Sequence, residues 1–263
     1  MAQLPIIKGA LSMKVRWLGH SCIEIIDQNH ILIDPDYLRE PLPDIDYIFI
    51  THGHEDHLGK VAEIQAGAVL AAKDVCEITR GQEVPMRRLF AVEPGDVVEN
   101  VRVLVGYSSV GLLSELWARL RGRRHEFAGG TPLSFLVEDD PSTCPWSSGT
   151  CPGPFVLGPK DQGRQVQGPR TEGSGHGLSF LHPGDGHKAP QGVNPDIFCL
   201  PYRHVAWRDE WYQRQLTALV ESLHPRYVIP IHHDIPPWQA DPQELVERVS
   251  AQVVVPTEWV EFT

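Results

Sequence analysis

The sequence predicts an α/β fold in which two mixed β-sheets pack face to face and helices cover both outer faces (αββα). Two observations support this prediction. Apolar runs of strand length alternate with amphipathic helical segments over residues 13–107, and the same order returns after residue 177. Because helices and sheets must bury their apolar faces against another layer, two such sets suit two sheets with helices outside them.

The first half of the chain predicts strands separated by turns and short helices. Residues 13–26 predict two short strands around a Gly-His turn, and the strand over 30–35 ends at Pro35, which cannot donate to a sheet. Apolar side chains at every third position from Leu58 predict a helix over 58–66 that ends at Gly67. The other elements predicted here are strands over 46–52 and 68–73, a helix over 74–79, a hairpin over 96–107 and a basic amphipathic helix over 112–127.

The second half repeats this order around a long insertion. Residues 140–177 are dense in Gly, Pro and Ser and cannot form a long regular element. A stretch of this length is either a lid over a functional site or a mobile surface loop. We therefore expect one domain over 1–263 that carries this insertion. The later elements predicted are strands over 132–139, 178–186, 196–202 and 226–234, and helices over 208–224 and 241–251.

Composition and charge narrow the class of protein. The net charge of −11 argues against nonspecific binding of nucleic acid. No apolar run approaches the ~20 residues that a membrane span needs, and the opening MAQLPIIKGALSMKV has no signal-peptide pattern. The five cysteines are odd in number and scattered, which favours reduced thiols and a cytoplasmic location. Cys144 and Cys151 would either close a small loop or stay free thiols.

The segment THGHEDHLGK, residues 51–60, carries four metal-ligand side chains within six positions. It lies between a buried strand and a predicted helix. In an extended segment His52 and His54 point to the same side, and the bend into the helix carries Asp56 and His57 toward a second point. The spacing therefore predicts two neighbouring cations. Imidazole combined with carboxylate suits Zn²⁺, Mn²⁺ or Fe²⁺.

Two further turns at predicted strand ends carry the same ligand types. One is HPGDGH, which contains Asp185, and the other is VIPIHHD, which contains His232. An aspartate between two cations can bridge them, and its charge offsets their mutual repulsion. A single histidine is more often a packed or surface residue, but the combined pattern predicts a metal site.

These motifs resemble a known family. THGHEDHLGK, together with WLGHSCIEI, ILIDP, HPGDG and VIPIHHD, is similar to the signature of the metallo-β-lactamase-fold hydrolases. Within that superfamily, VIPIHHDIPPWQADPQEL with GDGH before it most resembles the L-ascorbate-6-phosphate lactonase branch. The resemblance covers residues 13–107 and 178–255 and leaves 140–177 unexplained. It implies an αββα sandwich with a two-metal site at one edge.

The resemblance also implies residue roles. The first metal would take His52 and His54, the second would take Asp56, His57 and His232, and Asp185 would bridge them. Many family members hold the first metal with a further histidine, but the corresponding stretch here reads Gly106-Tyr107-Ser108. The lactonase-like branch also tends to lack that histidine.

Three further side chains have candidate roles around this site. His125 would replace the missing ligand of the first metal, or it is a helix-end histidine that faces solvent. His20 and Asp34 would orient ligand imidazoles from behind, and the alternative for Asp34 is a turn residue before proline.

The chemistry expected of such a site is hydrolysis by a metal-bound hydroxide, because a bound cation lowers the pKa of water from about 16 to about 7. Asp56 would ligate the metal and orient the nucleophile. The leaving group would be protonated by His187 or by a metal-held water.

The substrate implied by the resemblance is a small molecule, a lactone or ester that includes phosphorylated forms, and we expect it to be anionic. Arg123, Arg124 and Arg203 are the candidate residues for its charge, although the first two would equally suit a solvated helix face. One alternative is a phosphodiesterase or nuclease of the same fold. Another is a noncatalytic binding protein on a retained fold. The resemblance also implies a homo-oligomer.

Overall fold

The computed structural model describes residues 12–107, 129–138, 177–205 and 208–263. Its described strands form two seven-stranded sheets. In chain order they are β1 (Met13–Gly19), β2 (Cys22–Ile26), β3 (His30–Ile33), β4 (Ile45–Phe49), β5 (Ala66–Ala71), β6 (Leu89–Ala91), β7 (Val97–Val98), β8 (Val101–Val105), β9 (Leu133–Glu138), β10 (Ser179–His182), β11 (Ile197–Pro201), β12 (Tyr227–Ile231), β13 (Gln252–Val253) and β14 (Val260–Phe262).

Both sheets are mixed, as the sequence predicts. The first has the order β14-β1-β2-β3-β4-β5-β6, antiparallel as far as β3 and parallel from β3 onward. The second has the order β13-β12-β11-β10-β9-β8-β7, parallel as far as β10 and antiparallel beyond it. Each half of the chain therefore builds one sheet, and the last strand returns to the first sheet.

The helices among the described residues are α1 (Glu55–Leu58), α2 (Lys73–Arg80), α3 (Asp209–Leu223) and α4 (Pro242–Val246), with a 3₁₀ turn at Met86–Arg88. Helix α2 lies against β5 and β6 of the first sheet. Helix α3 buries Leu216 and Val220 with Phe198 and Leu200 of the second sheet. The layers therefore follow the predicted αββα order.

One apolar core joins the inner faces of the two sheets. The rings of Phe49 from β4 and Phe135 from β9 lie 5.0 Å apart, and both side chains are fully buried. Truncating either ring to alanine would cost about 3–5 kcal/mol of stability, as large-to-small core changes do. This core fixes the strand ends of one sheet against those of the other, which matters because the ligand residues lie at those ends.

Some sequence predictions differ from the structure. The helix predicted over 58–66 is wrong, because α1 starts earlier and ends at Leu58. Gly59 adopts a φ of 22°, and Lys60 donates its backbone N–H to Pro35 at 3.0 Å, which turns the chain out of a helix. Strands β6, β13 and β14 were not predicted. The helix over 112–127 and residues 140–176 of the insertion lie outside the described residues, so the domain organisation stays a prediction.

The structure also bears on membrane and cysteine predictions. In the part of the chain that the structure describes, no helix has the length and apolar character needed to cross a membrane. Cys22, Cys76 and Cys199 are buried free thiols, and burial raises the pKa of each. Cys144 and Cys151 lie outside the described residues.

Candidate metal centre

The predicted ligands lie at the carboxyl ends of strands from both sheets. His52 comes three residues after β4, in the turn that leads to α1. Asp185 follows β10 and His232 follows β12 directly. Because β4 belongs to the first sheet and β10 and β12 to the second, the site lies at the edge where both sheets end.

The structure brings the six predicted ligands together as two groups. Within each group the ligand atoms all lie within 4.8 Å of one another. Three of the imidazoles and one carboxylate are buried, whereas His54 and Asp56 are partly exposed. We call them the first group (His52, His54 and Asp185) and the second group (Asp56, His57 and His232).

Asp185 lies between the two groups and faces each with a different oxygen. Its Oδ1 is 3.3 Å from His57 Nε2 and 2.8 Å from His232 Nε2. Its Oδ2 is 3.9 Å from His52 Nε2. A carboxylate that presents one oxygen to each of two ligand groups has the orientation that a shared ligand of two cations needs.

The hydrogen bonding of His232 shows whether these residues fit a cation. Its side chain is fully buried, yet among the described residues neither ring nitrogen has a partner with hydrogen-bond geometry, although Nε2 lies 2.8 Å from the Asp185 carboxylate. Buried polar atoms are normally satisfied, so such an atom needs an explanation. A buried imidazole with two unsatisfied nitrogens, one of them 2.8 Å from a carboxylate, fits a ring that ligates a cation.

Asp34 and Thr51 orient two of the imidazoles from behind. Asp34 Oδ2 lies 2.6 Å from His57 Nδ1, and its two oxygens accept from the N–H and the hydroxyl of Thr51, both at 2.8 Å. The Thr51 hydroxyl is also 3.1 Å from Nδ1 of both His52 and His57. These contacts at Nδ1 leave Nε2 of both rings for the site. Outer partners of this kind tune ligand basicity.

Asp34 contacts the ring of His57, and its role in orienting that ring stays a prediction, whereas no role was predicted for Thr51. A hydroxyl residue directly before the first ligand histidine was the available signal. The buried ring of His182 contacts the backbone oxygen of Ser21 at 2.9 Å, which is a structural contact.

His20 acts on the site through its backbone. Its carbonyl accepts from His232 N–H at 2.8 Å, and both residues have positive φ, 49° and 61°. Such conformations cost about 1–3 kcal/mol for a residue with a side chain and tend to occur at functional sites. The His20 ring lies 3.2 Å from Asp234, whose carboxylate raises its pKa. The expectation that this ring orients a ligand imidazole therefore differs from the contacts observed.

The electrostatics of the site favour positive charge. Burial lowers the pKa of His57, but the carboxylates of Asp34 and Asp185 outweigh burial and raise that pKa well above its usual value. Burial and the neighbouring His57 lower the pKa of His52 well below its usual value. Two carboxylates therefore dominate the surroundings of His57, whereas burial dominates at His52.

Gly129 forms a wall of the first group. A Cβ at this position would lie 2.9 Å from Cδ2 of both His52 and His54, and the backbone has a φ of 58°. Asp74 of α2 fixes this turn by accepting from the N–H and the hydroxyl of Thr131 at 2.8 and 2.9 Å. This close approach between distant segments has no local sequence signal.

The remaining predicted site residues divide into three sets. Arg203 contacts the site, with Nη2 3.4 Å from Asp185 Oδ2. The ring of His187 lies 6.3 Å from that of Trp211, and among the described residues no hydrogen bond or ion pair joins it to either ligand group. Arg123, Arg124 and His125 lie outside the described residues.

The sandwich of two mixed sheets, with two histidine and aspartate groups at one edge, defines a protein of the metallo-β-lactamase superfamily. Comparison with known families agrees. The model of the β-lactamase superfamily domain matches residues 19–171, more than half of the chain, and the chain belongs to this family. The superfamily expected from the sequence motifs is therefore confirmed.

Similarity to relatives and to a solved structure covers most of the chain. The chain is 28% identical over 251 residues to a UPF0173 metal-dependent hydrolase of Methanopyrus kandleri. That alignment covers 90% of this chain and 91% of the relative. It is 25% identical over 259 residues to a second UPF0173 metal-dependent hydrolase, from Pyrococcus horikoshii. That alignment covers 92% of this chain and 96% of the relative. A solved structure of a metallo hydrolase from Ignicoccus hospitalis shares the fold, with a TM-score of 0.62, 19% identity and coverage of 96% and 99%.

Proposed function

We propose that this chain is a metal-dependent hydrolase that acts on a lactone or ester, including phosphorylated forms. The observation that carries the proposal is the position of Asp185, whose two oxygens face two separate histidine-containing groups. Two relatives that align along nearly the whole chain are themselves described as metal-dependent hydrolases. The lactone or ester specificity rests on the motif resemblance to the L-ascorbate-6-phosphate lactonase branch.

The residues present would hold two divalent cations, Zn²⁺ or Mn²⁺, with Fe²⁺ as a third candidate. Imidazole with carboxylate suits these ions. When bound, such a cation acidifies a coordinated water and polarises a carbonyl or phosphoryl oxygen. The first and second groups would each hold one ion, and Asp185 would be their shared ligand.

The chain's own side chains then have distinct tasks. The Asp56 carboxylate is 35% exposed, in contrast to the fully buried His57 and His232, so it faces the open side of the site. It would orient the attacking water and take up a proton from it at a carboxylate oxygen. His187, two residues beyond Asp185, is the proposed donor of a proton to the leaving group.

An anionic small molecule is the proposed substrate. Arg203 supports this, because its guanidinium lies beside Asp185 at the site and an arginine is always charged. We expect substitution of Arg203 to raise the KM for an anionic substrate more than for a neutral analogue.

Chelation tests the proposal directly. The protein is screened against lactones, simple esters, phosphodiesters and β-lactams, then treated with EDTA and supplied with Zn²⁺ or Mn²⁺. We expect turnover of a lactone or ester that is lost on chelation and restored by the added ion. Circular dichroism before and after EDTA controls for unfolding. Hydrolysis that survives exhaustive chelation would contradict the proposal.

A phosphodiesterase is the second candidate, because two adjacent cation groups also suit in-line displacement at phosphorus. Turnover of phosphodiesters alone in the same screen would favour it. A noncatalytic binding protein would bind the cation and turn over none of the substrates. The screen therefore separates all three functions.

A further inference from the structure

The two ligand groups carry unequal charge. The second group contains the Asp56 carboxylate in addition to the shared Asp185, and Asp34 lies 2.6 Å behind the ring of His57. The first group contains two imidazoles and has only the shared carboxylate among the described residues. Fewer negative charges at the first group mean weaker attraction for a divalent cation.

Arg203 increases this difference. Its Nη2 lies 3.4 Å from Asp185 Oδ2, the same oxygen that faces His52 of the first group at 3.9 Å. The guanidinium therefore pairs with the same carboxylate oxygen that would bind a cation in the first group. It cannot be deprotonated in a protein, and its side chain is only 19% exposed, so solvent screens it weakly.

The backbone next to Arg203 is held independently of its charge. Its carbonyl accepts from the side chain of Gln213 in α3 at 3.1 Å. A change confined to the Arg203 side chain leaves this contact intact. The charge of this residue can therefore be tested without moving the strand end that carries it.

We infer that Arg203 makes the two groups unequal, so that the second group holds the resident cation and the first group binds a cation at least about 100-fold more weakly. This inference rests on the proposed metal-dependent function and adds an order of filling. The weaker first group exchanges its cation under conditions where the second group keeps its own.

Cobalt binding tests the inference without measuring activity. Metal-free protein is titrated with Co²⁺, and binding is followed by calorimetry and by visible absorption of the bound ion. We expect one tight and one weak site in the wild type. His54→Ala removes the weak site, whereas His232→Ala removes the tight one, which assigns each site to its group.

Two substitutions of Arg203 then isolate its charge. Arg203→Gln removes the charge and is expected to tighten the weak site by about tenfold or more, with little change at the tight site. Arg203→Lys keeps the charge and is expected to leave the ratio of the two affinities within about threefold of the wild type. Circular dichroism and thermal unfolding check that both variants are folded.

The possible outcomes separate this inference from the proposed function. Two equal sites in the wild type, or equal effects of Arg203→Gln and Arg203→Lys, would overturn the inference and leave the hydrolase intact. Weakening of both sites by Arg203→Gln would show that Arg203 merely orients Asp185, and this would also overturn it. A protein that binds no Co²⁺ would overturn the inference and the proposed function together.

Discussion

Two buried carboxylates in this protein, Glu24 and Asp185, each lie beside an arginine and histidines. They differ in where they lie in the fold and in how their neighbours are hydrogen-bonded. Glu24 lies within β2, and its Oε2 accepts from Arg16 Nε at 3.0 Å. Its Oε1 lies 2.9 Å from His30 Nε2 and accepts from the backbone N–H of Leu42 at 2.7 Å. Asp185 also faces histidines and an arginine, but it lies in a turn beyond a strand end.

The two carboxylates differ in how well the hydrogen bonds of their neighbours are satisfied. Both oxygens of Glu24 accept from donors of good geometry, so the cluster is complete. Asp185 lies 2.8 Å from an imidazole nitrogen of His232 that has no hydrogen-bond geometry with it. A buried carboxylate whose neighbouring imidazole is fully hydrogen-bonded is a structural feature, whereas a buried imidazole with two unsatisfied nitrogens beside a carboxylate indicates a cation site.

The largest expected effect comes from changing each carboxylate to its amide. Asp185→Asn should lower cation affinity by at least about 100-fold, beyond the 10–100-fold typical of losing an outer partner. Glu24→Gln should keep cation binding but lower the free energy of unfolding by about 2–4 kcal/mol, because it leaves Arg16 and His30 without their partner. Calorimetry with Zn²⁺ and urea unfolding measure the two effects.

The stabilisation that Zn²⁺ provides is the control for this pair. A ligand at 100 times its dissociation constant stabilises the native state by about 2.7 kcal/mol. Wild type and Glu24→Gln should both gain stability on addition of Zn²⁺, whereas Asp185→Asn should gain much less. Equal gains in all three proteins would erase the distinction between the two carboxylates.

The sequence predicts much of this fold because its signals are local. Buried strands appear as short apolar runs bounded by turn residues, and most strands were found in this way. The helix over 58–66 was mispredicted because apolar spacing alone does not define a helix. Leu58, Val61 and Ile64 are all buried, but contacts to Pro35 hold the chain in turns instead.

The candidate site was predicted from residue types and spacing, since the ligands cluster at strand ends. Its supporting contacts depend on packing between segments far apart in the chain. Arg203 reaches Asp185 from the end of the neighbouring strand, and Gly129 touches the histidines of the 51–58 segment only because the two sheets meet there. The sequence contains no periodic pattern that reports such contacts.

The next largest effect is expected from Asp34→Asn. Asparagine keeps an acceptor for the Thr51 N–H and tolerates the φ of 53° found here, but it cannot accept through both oxygens. Cation affinity at the second group should fall by 10–100-fold, about the usual cost of losing an outer partner. The exposed Asp44 has a similar φ of 64°, so Asp44→Asn serves as the matched control and should leave affinity unchanged.

A smaller effect is expected at the wall of the first group. Gly129 and Gly192 have φ of 58° and 75°, but a Cβ would meet His52 and His54 only at Gly129 and nothing within 4 Å at Gly192. Both alanine variants should lose about 1–2 kcal/mol of stability from the left-handed backbone. Only Gly129→Ala should weaken cation binding at the first group, by a few-fold. The same loss of affinity in Gly192→Ala would refute a local steric cause.

The smallest effect is the pH dependence of the Glu24 cluster. The hydrogen bond to Glu24 raises the pKa of His30 above its usual 6.5. Burial raises the pKa of Glu24, but the bonds from His30, Arg16 and Leu42 outweigh it and place that pKa below 4.5. The raised pKa of His30 stabilises the native state fully below pH 6.5, and the lowered pKa of Glu24 stabilises it fully above pH 4.5. Both contributions to the free energy of unfolding are therefore present between these two pH values.

This window predicts how His30→Gln behaves. The loss of unfolding free energy should be greatest near pH 5.5, within the window, and should shrink as pH rises through the raised pKa of His30. The pH-dependent part is on the order of 0.5 kcal/mol, because partial exposure of the ring screens the pair. Urea unfolding at several pH values measures it. In a Glu24→Gln background the pH dependence of this loss should shrink strongly, since the carboxylate that contributes most to the raised pKa of His30 is then absent. Its persistence there would assign the effect to another charge.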